Sequence, residues 1–271
     1  MISDPIKTNP KESSPTIALE QLLRRGDVWR GHSQHFAPRL TLDSGHEALN
    51  AALLNKGWPL GSLIEICQQE PGQSEWLLLT PALLKTTGGY LVLLNPPAMP
   101  FAQSLLQAGI DLERVLVVQT QSKADFLASF SELARTQACD ALLAWQPKQA
   151  LSYTELRKCL LAAADGQGLY LLFRPLNARQ QSSPAVLRLA VDIHATELQV
   201  GIFKQKGLLQ KQQPQVIKLA LPTSWQGFLP HALLDQVSTA SADVATGSAS
   251  PRTAGSRAKP NKITPIVRGK P

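Results

Sequence analysis

The residues that could do chemistry crowd one stretch, residues 41–95. Ser62-Leu63-Ile64-Glu65-Ile66-Cys67 is a short run rich in branched residues. The turn Gln68-Gln69-Glu70-Pro71-Gly72-Gln73-Ser74 follows, and an apolar, helix-spaced segment comes next. A strand feeding a Gly/Pro turn and a helix is the frame of a phosphate-cradling loop. Such a loop needs G-x-x-x-x-G-K-[ST]: glycines for close backbone approach, a lysine for the phosphates, a hydroxyl for magnesium. Here Gly72 is the only glycine of the turn and the first lysine is Lys85, three turns into the helix. Glu70 and Glu75 put negative charge where a triphosphate would sit. Acids at a helix N-terminus favour the helix dipole and oppose a nucleotide. The turn reads as an ordinary capped strand-to-helix connection, and no cofactor is expected.

Other catalytic parts are missing as well. Residues 141–145 read as a strand that ends without an acid to hold magnesium; Asp140 lies at its other end. Asn95-Pro96-Pro97 follows residues 90–94 with no carboxylate to activate water. His32 and His35 are three apart with no carboxylate set beside them, so no metal site is expected. Cys67, Cys139 and Cys159 form no C-x-x-C pair and read as buried thiols in a reducing compartment. No Ser/His/Asp or Cys/His arrangement is readable. The chain is expected not to be an enzyme.

The basic residues are the remaining candidates. Arg174, Arg179 and Arg188 lie near the end of an apolar run, where open α/β sheets bind partners; they read as DNA or partner contacts, or as a plain surface loop. Lys204 and Lys206 alternate along one strand face. They read as a subunit interface or phosphate contact, or as the solvated face of an edge strand. Arg252, Arg257, Lys259, Lys262, Arg268 and Lys270 crowd the stretch beyond Val237, which is rich in Ser, Ala, Thr, Gly and Pro and holds one acid, Asp243. That tail reads as disordered and basic, suited to DNA phosphates, to a partner, or to a solubilising linker.

The elements that must position these residues alternate. Strands are expected at residues 62–67, 90–94, 114–118, 141–145 and 169–173, the last closing the parallel set. Helices are expected from Ser44 to about Gly57, at 75–86 and 97–108, and after Ser122 and Ser152. Ser44-x-x-Glu47 and Ser152-x-x-Glu155 match the capping box. Strands alternating with helices of this length mean βαβ units and a parallel sheet covered on both faces. Trp58 and Trp145 read as core residues. Asn177 to Ser183 reads as a mobile loop. Residues 185–193 and 197–204 alternate around His194-Ala195-Thr196 as an antiparallel hairpin at the sheet edge. Upstream, residues 17–23 read as a short amphipathic helix.

With 271 residues and 44% hydrophobic content, one large α/β domain with tails can bury a full core. The net charge of +7 favours an acidic partner such as nucleic acid or an acidic protein surface. Residues 1–12 are polar, with Pro5 and Pro10, and carry no signal peptide. The longest apolar stretch, residues 76–94, is broken by Pro81, Lys85 and Gly88-Gly89, so no membrane span is expected. The expected setting is the cytoplasm.

Ser44-Gly45-His46-x-x-Leu49-Asn50, followed by Gly57-Trp58-Pro59-x-Gly61-x-Leu63-x-Glu65-Ile66, resembles the opening of the RecA core. Gly109-Ile110-Asp111-Leu112-Glu113-Arg114-Val115 resembles the same core one βα unit later, and Gly201-Ile202-Phe203-Lys204-Gln205-Lys206-Gly207 its basic C-terminal strand. The detailed pattern is similar to the ImuA family, RecA-like proteins of bacterial mutasome operons. It rests on Trp29-Arg30-Gly31, Gly57-Trp58-Pro59-x-Gly61, Ala108-Gly109-Ile110-Asp111, Ala138-Cys139-x-Ala141-Leu142-Leu143-Ala144-Trp145, Phe173-Arg174-Pro175 and Ser183-Pro184-Ala185-x-Leu187-Arg188-Leu189, across roughly residues 20–210. The resemblance implies a RecA-like three-layer α/β domain with a mainly parallel sheet, a C-terminal antiparallel hairpin and a degenerate P-loop. It implies an accessory role in SOS-induced, error-prone translesion DNA synthesis. The implied partners are ImuB, a polymerase-like protein, an error-prone replicative-type polymerase, and single-stranded or damaged DNA. The family is related to SulA, so a division inhibitor binding FtsZ is the alternative, and a DNA-dependent ATPase with a rearranged loop a weaker one. The expected organisation is a disordered stretch at 1–15, a helix and linker at 16–40, the RecA-like domain at 41–221 and the basic tail at 222–271.

Overall fold

A computed structural model of the chain describes residues 40–207, apart from 73, 87, 195 and 196, and residues 215–220. The chain divides into two units, Met1–Phe228 and Leu229–Pro271. Every described residue lies in the first. The expectations for residues 1–39, for Ala195-Thr196 and for the basic tail fall outside the described residues.

The elements follow in order: β1 (Thr41–Leu42), α1 (Glu47–Ala52), β2 (Trp58–Pro59), β3 (Ser62–Gln68), α2 (Glu75–Leu83), β4 (Tyr90–Leu94), α3 (Ala102–Gln107), β5 (Val115–Val118), α4 (Lys123–Arg135), β6 (Cys139–Trp145), α5 (Tyr153–Asp165), β7 (Leu169–Pro175), β8 (Leu187–Ile193), β9 (Glu197–Gln205) and β10 (Gln215–Ala220). β1 and β2 form a small ladder. The others form one eight-stranded sheet, ordered β10-β9-β8-β3-β7-β6-β4-β5. The run from β8 to β5 is parallel; β9 and β10 add antiparallel strands at one edge. The fold is thus mixed α/β with a mostly parallel central sheet and a C-terminal antiparallel hairpin.

β3 lies inside the sheet, between β7 and β8, and all seven of its residues are buried. Residues of both parities are therefore covered, as a strand buried on both faces requires. One face packs Leu63, Val92, Leu94, Leu142, Ala144, Tyr170 and Leu172 against Phe126, Phe130 and Ala134 of α4 and Leu156, Cys159 and Ala163 of α5. Trp58 is fully buried and Trp145 is nearly so. All three cysteines are free and buried. Burial pushes the Cys67 thiol up to about 11 and those of Cys139 and Cys159 to about 12. Among the described residues no helix is long and apolar enough to cross a membrane.

Several expectations need correction. Ser44 does not cap a helix: its hydroxyl bonds the His46 carbonyl, and α1 starts only at Glu47. Asp43 accepts from the Gly45 backbone and from Asn50, which turns the chain before the helix can begin. Gly45 sits at φ +78°, and any Cβ there would collide with Pro81. α1 stops at Ala52, not near Gly57, because Leu53 is already extended at ψ 139°, and Asn55 and Lys56 beyond it take positive φ. α2 ends at Leu83, three residues short of the expected stop. α3 is confined to Ala102–Gln107, because Phe101 before it is extended at φ −77° and ψ 107°. β8 belongs to the parallel set, pairing Ile64 with Leu187, so the strand at 169–173 is not the last parallel one. Its crossover contains no α-helix, only a 3-10 turn at Leu176–Gln180, and so escaped the strand–helix pattern.

Candidate functional site

The sequence pointed to the turn between β3 and α2, and the structure shows what fills it. Glu75 is the first residue of α2 and is 1% exposed. Its Oε1 accepts from the Gly72 backbone N–H at 2.8 Å, from Gln68 Nε2 at 2.6 Å and from Trp145 Nε1 at 2.9 Å. Its Oε2 accepts from the Ser74 backbone N–H at 3.1 Å and again from Gly72 at 3.0 Å. Ser74 Oγ donates to Gln68 Oε1, closing the ring of bonds. Backbone N–H groups at a helix N-terminus are donors in search of an anion. Here the chain's own carboxylate is that anion. Glu70, the other acid of the turn, stays exposed.

A cavity of about 210 Å³ opens beside this turn, at the carboxyl ends of β3, β4, β6 and β7. Trp145 and Phe173 stack at 4.8 Å and line it, with Asn95, Gln146 and Arg174 around them. Asn95, at φ +55°, is pinned to Thr120 by bonds from its amide to the Thr120 hydroxyl and from the Thr120 N–H to its carbonyl oxygen. The space is below the roughly 300 Å³ at which ligand pockets begin. Its one cation, Arg174, is already bound on three sides. The residues present do not fit a nucleoside triphosphate with its magnesium. Among the described residues, no three His, Cys, Asp or Glu side chains gather as a metal cluster.

The predicted basic contacts separate into inside and outside. Arg174 and Arg188 are buried, at 2% and 5% exposure. Both hold Glu65, a fully buried acid in the middle of β3, at 3.3 Å and 2.8 Å. Ser183 donates a short hydroxyl bond to the same carboxylate. Arg174 also donates to Gln146 and Gln181, each at 2.8 Å. Arg188 reaches the carbonyls of Gln181 at 3.0 Å and Ala178 at 2.8 Å and lies over the Phe203 ring. These bonds pin residues 177–183, which form part of an ordered turn rather than the expected mobile loop. Arg179 is exposed beside the same ring, 5.3 Å from its centre. Lys204 is half-buried, donates to the Ser183 carbonyl at 2.6 Å, and has its pKa lowered by burial and by Arg188. Lys206 is exposed. The structure thus brings Arg174, Arg188 and Lys204 together around Glu65 and Ser183 and leaves Arg179 and Lys206 facing solvent.

Sequence reading passed over Glu65, Ser183 and Phe203. One signal was there: a glutamate inside an apolar strand run must find cations or donors if that run is buried. Asp140, at the opposite end of β6, is taken by Arg114 at 3.0 Å and the Gly89 N–H at 2.9 Å, so it too serves the fold.

Fold and site together define a mixed α/β protein whose phosphate-loop position is filled from within. No protein-family model matches the chain, and no curated protein matches it. Among solved structures the chain is similar to SulA from Pseudomonas aeruginosa, at 26% identity over 41% of this chain and 97% of that one, with a TM-score of 0.34. At that TM-score the likeness decides neither fold nor function.

Proposed function

We propose that this chain is a non-catalytic accessory protein of SOS-induced, error-prone translesion DNA synthesis. In this reading it is a RecA-like scaffold with a degenerate P-loop, and it joins the polymerase-like protein ImuB to a mutagenic replicative-type polymerase. The observation that carries the non-catalytic part is Glu75, whose carboxylate takes the backbone donors that a phosphate would need. A nucleotide would have to expel a buried acid that four donor groups hold, into a cavity with no free cation. The mutasome part rests on the motif resemblance. With nucleotide chemistry set aside, protein surfaces remain as the means of action.

Titration calorimetry with Mg-ATP is expected to show no saturable heat, and micromolar binding would overturn the reading. Co-purification with ImuB is the matching positive test. Overexpression that yields filamentous cells with ring-free septa, without an ImuB complex, would replace the adaptor by a division inhibitor acting on FtsZ.

A further inference from the structure

The antiparallel end of the sheet has one covered face and one bare face. Along β8, β9 and β10 the buried residues alternate: Leu189 and Val191, Leu198 and Val200, Ile217 and Leu219. Between them a row of small residues crosses the three strands, with Ala190 opposite Gly201 and Gly201 opposite Val216. Ala190 lies beside Cys67 of β3, on the face that α4 and α5 cover further along the sheet. Among the described residues, the core under those helices takes nothing from β8, β9 or β10. Val216 is 56% exposed, and a Cβ on Gly201 would meet only the Ala190 carbonyl, at 3.8 Å. An antiparallel face turned to water is ordinarily polar. This row is not.

One end of the row is positively charged. Arg188 pairs with Lys204 and Leu189 with Ile202, so Phe203 is an extra residue at a bulge. Bulges re-aim side chains, and this one leaves Phe203 beside Arg188 and Arg179 while Lys204 reaches the Ser183 carbonyl. Among the described residues, Arg179, Lys204 and Lys206 form no ion pair; the nearby Glu65 is taken by Arg174 and Arg188. Burial lowers the pKa of Lys204, and Arg188 and Lys206 push it further down. Three cations beside a half-buried ring lack a counter-charge.

The surface suits a protein segment better than a nucleic acid. The Phe203 ring already carries two guanidinium groups, which leaves it a poor stacking platform for bases. At the other end of the same face stand Asp192 and Glu197, which repel a continuous polyanion. We propose that this bare face receives an acidic segment of a partner protein, with an apolar side chain over Gly201 and carboxylates on Arg179 and Lys204. The proposal rests on the reading that the chain works through protein surfaces, but it does not depend on which protein supplies the segment.

Fluorescence anisotropy with the full-length chain and a labelled peptide, Ala-Asp-Glu-Leu-Phe-Asp-Glu-Ala, tests it. Saturable binding is expected, and none to the same peptide with lysine at every acidic position. Arg179→Glu reverses an exposed charge and is expected to weaken binding about tenfold. Gly201→Leu fills the open space at a strand position that gains from a side chain, so it should melt no lower than wild type and also bind about tenfold more weakly. No binding to wild type, or equal affinity in all three proteins, overturns the proposal. Displacement of the peptide by oligothymidine at lower concentration than by unlabelled peptide also overturns it and assigns the face to nucleic acid. Failure here leaves the Mg-ATP and ImuB tests untouched, and a negative result in those leaves the peptide result standing.

Discussion

Glu75 shows how one side chain settles the character of a site. An acid at the first position of a helix is common, because the helix dipole favours it. Being 1% exposed with both oxygens occupied is not. Its carboxylate joins the turn at Gly72 and Ser74 to Gln68 at the end of β3 and to Trp145 at the end of β6. Glu75→Ala would leave those buried donors without acceptors, and each such group costs about 1–3 kcal/mol. The expected loss, allowing for water entering the space, is about 3 kcal/mol in urea unfolding. Trp145 fluorescence should report a loosened pocket under native conditions. A loss below about 1 kcal/mol would show that the bonds at Glu75 contribute little. A sequence reader can see the acid; its insertion among the amides depends on where β6 delivers an indole from 70 residues away.

At the scale of elements, local rules held where a cap was complete and failed where a proline or an Asx turn intervened. α5 begins as expected: Ser152 accepts from the Glu155 N–H, and Glu155 accepts from the Ser152 N–H at 2.7 Å. Lys123 of α4 adds an ion pair at 2.9 Å, tying the two helices that pack side by side. The Ser152 N–H, with help from Lys123, holds the Glu155 carboxyl down to about 2, against an ordinary 4.5. A carboxyl lowered on folding stabilises above its unfolded pKa, and that stabilisation disappears as the pH falls through its folded one. Wild type should therefore exceed Glu155→Gln in stability at neutral pH, by up to about 1 kcal/mol given the partly exposed pair. The gap should begin to close below about pH 4.5 and vanish near pH 2. A gap that persists at pH 2 would mean that charge plays no part in this cap. α2 shows the other side of the same rules. Pro81 removes the N–H that would bond the Leu77 carbonyl, and the His46 ring sits nearby, 3.2 Å from the Leu78 carbonyl.

For the molecule as a whole, the centre of gravity is Glu65. It lies on β3 between β7 and β8, and Arg174 and Arg188 reach it from those two neighbours. Ser183 reaches it from the crossover between them. This buried group closes the sheet where a connection without an α-helix passes from β7 over β3 to β8. Removing one member of a buried charge network leaves the rest uncompensated, at a cost of roughly 3–5 kcal/mol. Glu65→Ala is accordingly expected to lower unfolding free energy by about 4 kcal/mol and to open residues 176–186 to protease. Arg188→Met in the same background should recover part of the loss, because it withdraws one of the stranded cations. If Glu65→Ala unfolds like wild type and the crossover stays protected, the network is not what holds this part of the sheet.

The sequence by itself determined the alternation of strands and helices, the mixed α/β class with its mostly parallel sheet, the hairpin at the C-terminal side and the burial of Trp58, Trp145 and the three cysteines. Those features follow from periodicity and apolar run length, which any local window contains. It also showed that the turn after residue 67 lacks the glycines and lysine of a phosphate loop. Only the tertiary structure decided that Glu75 fills that turn, that Arg174 and Arg188 point inward to Glu65, and that residues 187–193 run parallel to β3. Each of these depends on groups far apart in the chain meeting in a space closed to water. There an acid or a guanidinium must find a partner, and no local pattern says which one will be within reach.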